Sequence, residues 1–338
     1  MTSKLQHGAR LESQARQALC QYHLPVPSKL ELLTFSENAV FRAHFRDHES
    51  VVVRLHSLGY HGNAEIESEL MWVEALQAQT DIRVPSVLRT PTGDGVVVAT
   101  HPEFPPRFAA VLGDLPGESP TDENIVSDFR ILGRTTASLH NHAQRWTPPA
   151  AFQRFSWDLN GTFGVNANWG RWQQGPNVDE PLVAVLTSAE RLIRRRLQDY
   201  GQAPHRFGLI HSDLRLANIL MNGDIAQVID FDDCGFGWFF YDLASALTFI
   251  EDDPKVPELI TAWLEGYGEI RPLDSADVAE IPTLIMLRRM VILAWLGSRP
   301  GTSIVRDEGA RYARVTGEMA ESYLSSLAED ASSHTGLG

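Results

Sequence analysis

The 338-residue sequence is poor in cysteine, with only Cys20 and Cys234, far apart in the chain. They build no disulfide framework and no Cys-x-x-Cys metal or redox signature, so a reducing cytoplasm is the expected setting. No apolar core of signal-peptide length follows the first ten residues, and secretion is not expected. Long hydrophobic runs are also missing. The most apolar stretch, Ile281 to Leu296, is interrupted at its centre by Arg288 and Arg289. It is too short and too charged to span a bilayer, which leaves no membrane partner to expect, and it reads as a buried helix. Positive charge is in deficit, with 29 Lys and Arg against 43 Asp and Glu and a formal net charge of -14. That balance argues against a nucleic-acid partner and tilts toward cationic or metal-bound ones.

What the chain does have is globular composition, 43% hydrophobic and 21% charged. Its length suggests about two domains of roughly 150 residues each. A helix over Leu11 to Tyr22, stopped by Pro25 and Pro27, precedes short β-rich runs at Leu30–Phe35, Val40–Phe45 and Val51–Leu55. Ile66, Leu70, Val73 and Leu76 give Ala64–Gln79 a helical face, and Val96–Thr100 and Arg107–Leu112 return to strands. The first 112 residues thus read as a small sheet carrying a single helix, and the breakers Gly113-Asp114-Leu115-Pro116-Gly117 read as a linker. Residues 118–330 read as mostly helical, over Asn124–His142, Pro181–Tyr200, Lys255–Gly268, Ala276–Leu296 and Asp307–Leu327, with a flexible tail at 331–338. Phe155–Pro176 is loop-rich, and its Trp157, Trp169 and Trp172 either pin it to the core or line a pocket. The arginines at 191, 194, 195 and 196 read as a solvated helix face, and Asp242 as the N-cap of a helix through Ile250.

Chemistry concentrates between Phe207 and Ala244. Apolar Leu209-Ile210 leads into His211 and Asp213, and Ile219–Met221 and Ala226–Ile229 flank the hairpin turn Asn222-Gly223. Polar residues at strand ends would bring Asp213, Asn218 and Asp230 to one rim, where two carboxylates and an amide suit a hard cation, magnesium being the natural one.

His211-x-Asp213-x-x-x-x-Asn218 followed by Asp230-Phe231-Asp232 resembles the catalytic loop and metal motif of the protein-kinase-like superfamily, and most of all its aminoglycoside phosphotransferase and choline kinase-like branch. Ser212 in the third position and Tyr241-Asp242-Leu243-Ala244 downstream are typical of that branch. The resemblance covers roughly residues 28 to 270, with sharp motifs only in 211 to 242. It implies an α+β, two-lobed kinase-like fold with a small antiparallel-sheet N-terminal lobe and a larger, mainly helical C-terminal lobe. It also implies an ATP- and magnesium-dependent kinase that phosphorylates a hydroxyl of a small molecule. Asp213 would be the catalytic base, Asn218 and Asp230 metal ligands, Asp232 a helper at the metal, His211 a loop support and Arg215 a charge stabiliser.

A kinase-like fold should also carry a cation on its third strand, here Arg54 in place of the usual Lys, paired with Glu69, or less favourably Glu65, on the next helix. The phosphate-covering loop would be Phe35-Ser36-Glu37-Asn38, which makes Ser36 and Asn38 nucleotide contacts although the loop lacks glycine. Leu112-Gly113-Asp114 would be the hinge that meets adenine. Glu251-Asp252-Asp253 would suit a cationic acceptor, such as an aminoglycoside or amino alcohol. Homoserine, a protein side chain, transfer of AMP rather than phosphate, and a silent nucleotide-binding module are the alternatives at this level.

Overall fold

The computed structural model describes residues 2–35, 38–300 and 302–335. The chain divides into two compact units. The first holds residues 1–118 and two returning stretches, 147–154 and 227–232, where a single hinge at 113–117 had been expected to separate the halves. Hydrogen bonds give the reason. Val228 N–H donates to the Arg83 carbonyl, Gln153 N–H to Ser68 Oγ, and Arg154 to the carbonyls of Glu65 and Asp232.

In this unit α1 (Thr2–Gln21) is followed by β1 (Lys29–Phe35), β2 (Ala39–His44), β3 (Val51–Leu55), α2 (Asn63–Gln79), β4 (Val96–His101) and β5 (Phe104–Gly113). The helix α1 begins nine residues before its apolar periodicity does, because its first turns are polar. The strands form one antiparallel sheet in the order β1-β2-β3-β5-β4. β5 starts earlier than expected because Pro105 and Pro106 lie where the β4–β5 register shifts, a place that tolerates a missing N–H. Alternation along β3 sorts its side chains. Val51, Val53 and Leu55 join Phe41, Val111 and Leu11, Ala15 and Leu19 of α1 in one buried cluster. The opposite face packs Ala110 and Leu112 against Ile66 and Leu70 of α2, and Arg54 projects to that side. The sheet therefore carries two helices, one per face, rather than one.

The second unit contains α3 (Ile125–Arg145), α4 (Leu159–Phe163), α5 (Glu180–Tyr200), β6 (Phe207–Ile210) and β7 (Ile219–Asn222). Gly223, at φ +60°, turns β7 toward β8 (Ile225–Val228), with which the chain re-enters the first unit. The second unit resumes with β9 (Gly235–Trp238), α6 (Tyr241–Ala246), α7 (Val256–Ile270), α8 (Ser275–Ala279), α9 (Ile281–Gly297) and α10 (Ser303–Thr335). β9 pairs antiparallel with β6, a strand the sequence did not advertise.

The expected helix Ala276–Leu296 is two. Asp274 caps α8 through the Ala276 N–H, and Pro282 in the first turn of α9 starts a new helix at little cost. α10 runs on to Thr335, into the segment expected to be a tail. α3 and α7 approach so closely that a Cβ on Gly133 would sit 2.1 Å from the Trp263 carbonyl oxygen. The loop-rich insert is pinned by packing, since Trp157, Trp169 and Trp172 are all buried. Arg194 and Arg196 are not simply solvated. Arg194 bonds Glu190 and the Phe163 carbonyl, and Arg196 bonds Glu280 and Thr283, which ties α5 to its neighbours. Among the described residues no helix is long and apolar enough to cross a membrane.

Candidate active site

The first unit supplies a buried cation with three carboxylates around it. Arg54 Nη2 donates to both oxygens of Glu69, at 2.5 and 2.6 Å, and Nη1 donates to Asp230 Oδ1 at 3.1 Å. Arg54 is 3% exposed; burial works against its charge, but Glu69 first, then Asp232 and Asp230, hold it protonated more firmly than usual. Glu69 is thus the partner, while Glu65 accepts the Gly62 N–H at the start of α2.

Asp230 sits at φ +62°, a strained conformation for a residue with a side chain, and its carboxylate is the exposed one of the set at 39%. Asp232 is enclosed instead. Its Oδ2 accepts from Asn38 Nδ2 at 2.9 Å, and Oδ1 lies 3.2 Å from His56 Nδ1, close enough for an ion pair but not aligned as a hydrogen bond. Burial alone would raise the Asp232 carboxyl; Arg54, with His56 and His61, overcomes that and holds it well below the usual carboxylate range.

The remaining expected contacts of this unit are partly spent. Asn38 fastens Asp232 with its amide nitrogen and accepts the Ser57 N–H with its oxygen. Ser36 lies outside the described residues. Leu112 pairs with Val52 across β3 and β5. Asp114 is ion-paired with Arg42 at 2.8 Å and lines a cleft of about 530 Å³ with Arg42, His44, Glu49 and Ser50.

The second unit supplies the motif loop. β6 delivers His211, after which Ser212 turns the chain at φ +66°. Asp242, fully buried, holds that turn rather than capping a helix: Oδ1 accepts the Ser212 N–H at 2.7 Å, and Oδ2 accepts the His211 N–H at 3.2 Å and faces His140 Nε2 at 3.0 Å. Ser212 Oγ donates to the Asp233 carbonyl at 2.5 Å, and Ser245 Oγ accepts the Leu214 N–H. His211 Nδ1 faces the Asp213 N–H at 3.3 Å, which fits a loop support.

Asp213 emerges from this frame with both oxygens engaged. Oδ1 accepts from Arg288 Nη2 at 2.6 Å, and Oδ2 from Asn218 Nδ2 at 2.8 Å and Arg215 Nε at 3.2 Å. Burial would raise its carboxyl, but Arg215, then Arg288 and His211, pull it below the ordinary value, so it is ionised at neutral pH.

Sequence reasoning read Arg288 only as a charge that breaks an apolar run. Its partner lies 75 positions away, and the one available signal was that a buried arginine demands an acid. The acidic run Glu251-Asp252-Asp253, expected to face a cationic ligand, is occupied within the unit. Glu251 is buried on Arg289 and Tyr312, Asp252 pairs with Arg311, and Asp253 accepts the Lys255 N–H.

Each unit by itself offers an oxygen donor of the kind a hard divalent cation takes. Asn218 turns its amide nitrogen to Asp213, which directs its Oδ1 away from that carboxylate, and Asp230 keeps one oxygen clear of Arg54. Among the described residues no group of three or more His, Cys, Asp or Glu could hold a metal ion.

Comparison with known proteins gives the family. The phosphotransferase enzyme family matches residues 32–278. A solved structure of a microcompartment-associated aminopropanol kinase is 43% identical with a TM-score of 0.86, over 92% of this chain and 97% of its own. Amicoumacin kinase of Bacillus subtilis is 25% identical over 79% of this chain and 80% of its own length. A homoserine kinase of Methylobacterium radiotolerans is 35% identical over 59% of this chain and 61% of its own. The chain belongs to the phosphotransferase enzyme family and is a small-molecule kinase with the two-lobed, protein-kinase-like α+β fold.

Proposed function

We propose that this kinase transfers the γ-phosphate of ATP, taken as its magnesium complex, to the hydroxyl of a small amino alcohol. The observation that carries the reading is Asp213, a carboxylate kept ionised in a nearly closed setting, with Arg288 on one oxygen and Asn218 and Arg215 on the other. Such a group orients an incoming hydroxyl and accepts its proton as the new O–P bond forms. Magnesium, when bound, would neutralise charge on the phosphate oxygens. Asn218 Oδ1 and the free oxygen of Asp230 are the assigned ligands. Asp232, already held by Asn38 and His56, serves to fix the Asp230 segment rather than to ligate. Arg54 and Arg215 balance phosphate charge, and Leu112 and Asp114 remain the assignment for the adenine side.

The acceptor class rests on the relatives. Aminopropanol and homoserine each carry an amine and a hydroxyl, and the aminopropanol kinase aligns with nearly the whole chain. A cytoplasmic setting accords with use of ATP. The test is ADP release with magnesium and ATP across 1-amino-2-propanol, ethanolamine, choline, homoserine, aminoglycosides and a generic protein, with Asp213→Asn alongside. Stimulation by an amino alcohol, reduced about 10²- to 10⁴-fold in Asp213→Asn while nucleotide still binds, is expected. Stimulation by aminoglycosides or protein alone would overturn the acceptor class, and failure to bind magnesium-ATP would overturn the kinase reading of the site.

A further inference from the structure

Arg288 lies on α9 with its side chain fully buried, and it belongs to none of the kinase motifs. One guanidinium makes four hydrogen bonds, one of them a long 3.4 Å contact from Nη1 to Tyr241 Oη. Nη2 donates to Asp213 Oδ1 at 2.6 Å, Nη1 to the Ser212 carbonyl at 3.1 Å, and Nε to Thr248 Oγ1 at 3.0 Å. The planar group sits 5.1 Å from the Trp169 ring centre and 5.6 Å from that of Tyr241, which limits its swing. Arg215 is the other cation at Asp213, but it is 36% exposed and holds the opposite oxygen. The Oδ1 side of the carboxylate is therefore set by Arg288 alone among the described hydrogen bonds.

The adjacent residue is a natural control. Arg289 is equally buried and also pairs with an acid, yet its partners are Glu251, Thr316 and the Tyr312 carbonyl, none in the 211–218 loop. The two arginines share a helix, a burial and a pairing chemistry, and differ in what they hold.

We propose that Arg288 is a positioning residue for phosphoryl transfer, fixing the Asp213 carboxylate at the angle from which it meets the acceptor hydroxyl. The inference rests on Asp213 being the proton acceptor. An ångström of misplacement at a reacting group costs about 10²-fold in rate without weakening binding. Arg288 has no assigned contact with either substrate, so its loss should fall on kcat and spare KM.

The experiment compares Arg288→Met, Arg288→Lys, Arg289→Met and Asp213→Asn in the full chain, at a temperature where each is folded by circular dichroism. Arg288→Met should lose about 10²-fold in kcat with the KM of nucleotide and acceptor within about threefold. Arg288→Lys, which keeps a charge for Oδ1 but not the bonds to Ser212 and Thr248, should recover part of that loss. Arg289→Met should lower stability and leave kcat near wild type. A folded Arg288→Met with wild-type kcat, or equal kcat losses in Arg288→Met and Arg289→Met, would overturn the proposal. Full activity in Asp213→Asn would instead overturn the proton-acceptor reading. A crystal structure of Arg288→Met adds a readout independent of the acceptor: the Asp213 carboxylate should leave its wild-type rotamer, and an unmoved Asp213 would refute the positioning role.

Discussion

Replacing Asp242 by Asn changes one atom and should unseat the loop that carries Asp213. The carboxylate now receives two backbone N–H groups, from His211 and Ser212, and faces His140 Nε2. An amide must place its NH₂ on one side. Set opposite Ser212, it meets a donor at the 2.7 Å contact, the worst choice. Set opposite His211 and His140, it can donate to the His140 ring after a change of tautomer, the other nitrogen then donating to Tyr267 Oη, 3.0 Å away.

In that cheaper arrangement the His211 N–H stays buried without an acceptor, at about 1–3 kcal/mol, and the Ser212 bond falls from charge-assisted to neutral, about 1 kcal/mol more. The sum is about 3 kcal/mol, roughly a 150-fold rise in the unfolded fraction. Ser212 adds leverage, because its φ of +66° is a strained state that persists only while its surroundings enforce it. Urea denaturation followed by tryptophan fluorescence reads the stability, and kcat in the still-folded variant reads the loop. A loss under about 1 kcal/mol with kcat unchanged would refute the view that Asp242 holds this loop together.

Arg54→Lys should raise the nucleotide KM about 10-fold or more, because one ammonium cannot serve Glu69 and Asp230 as the guanidinium does. A lysine-acylating ATP analogue should label residue 54 in that variant, whereas wild type, whose lysines are Lys4, Lys29 and Lys255, should show no labelled peptide from β3. Burial drives His61 down to about 4 from its ordinary 6.5, so it is neutral in the fold while the unfolded chain protonates near 6.5. Its contribution to stability is therefore complete above pH 6.5 and lost as pH falls toward 4. The urea midpoint should drop over that window and the drop should flatten in His61→Gln; an equal slope in both would refute the assignment. Gly133→Ala gains about 1 kcal/mol of helix propensity, but its Cβ would lie 2.1 Å from a backbone oxygen of α7. Net destabilisation of about 1–3 kcal/mol is expected by thermal melting, and a stabilised variant would contradict the close approach of α3 and α7.

The placement of Asp213, Asn218 and Asp230 at strand ends was legible because it is local: Asp213 and Asp230 follow the short apolar strands β6 and β8, and Asn218 directly precedes β7. Arg54 and Glu69 were legible for a related reason, one falling on a strand and the other on a helical period close behind it. Long-range pairing was hidden. Nothing adjacent to Arg288 announces Asp213, and Glu251 reads as free acid until Arg289 and Tyr312 are seen to enclose it. Asp242 looked like a cap because Asp before an apolar run usually is one. Its actual partners precede it by about 30 residues and are backbone amides, which carry no sequence signature. Asn38 and Asp232 were read as ligand contacts, yet they bond each other across 194 positions.

The route of the chain through the first unit has a consequence for synthesis on the ribosome. That unit is complete only when residues 227–232 have emerged, long after its sheet has been made. Until then Arg54 has Glu69 but lacks Asp230, and Asn38 lacks Asp232. The nascent sheet must therefore wait through more than a hundred further residues, most of them belonging to the other unit, with a polar cluster still open. Splitting the gene after residue 118 would leave this cluster open in the first fragment on its own. A pair of fragments could restore it only if the second brought Asp230 and Asp232 back to the sheet.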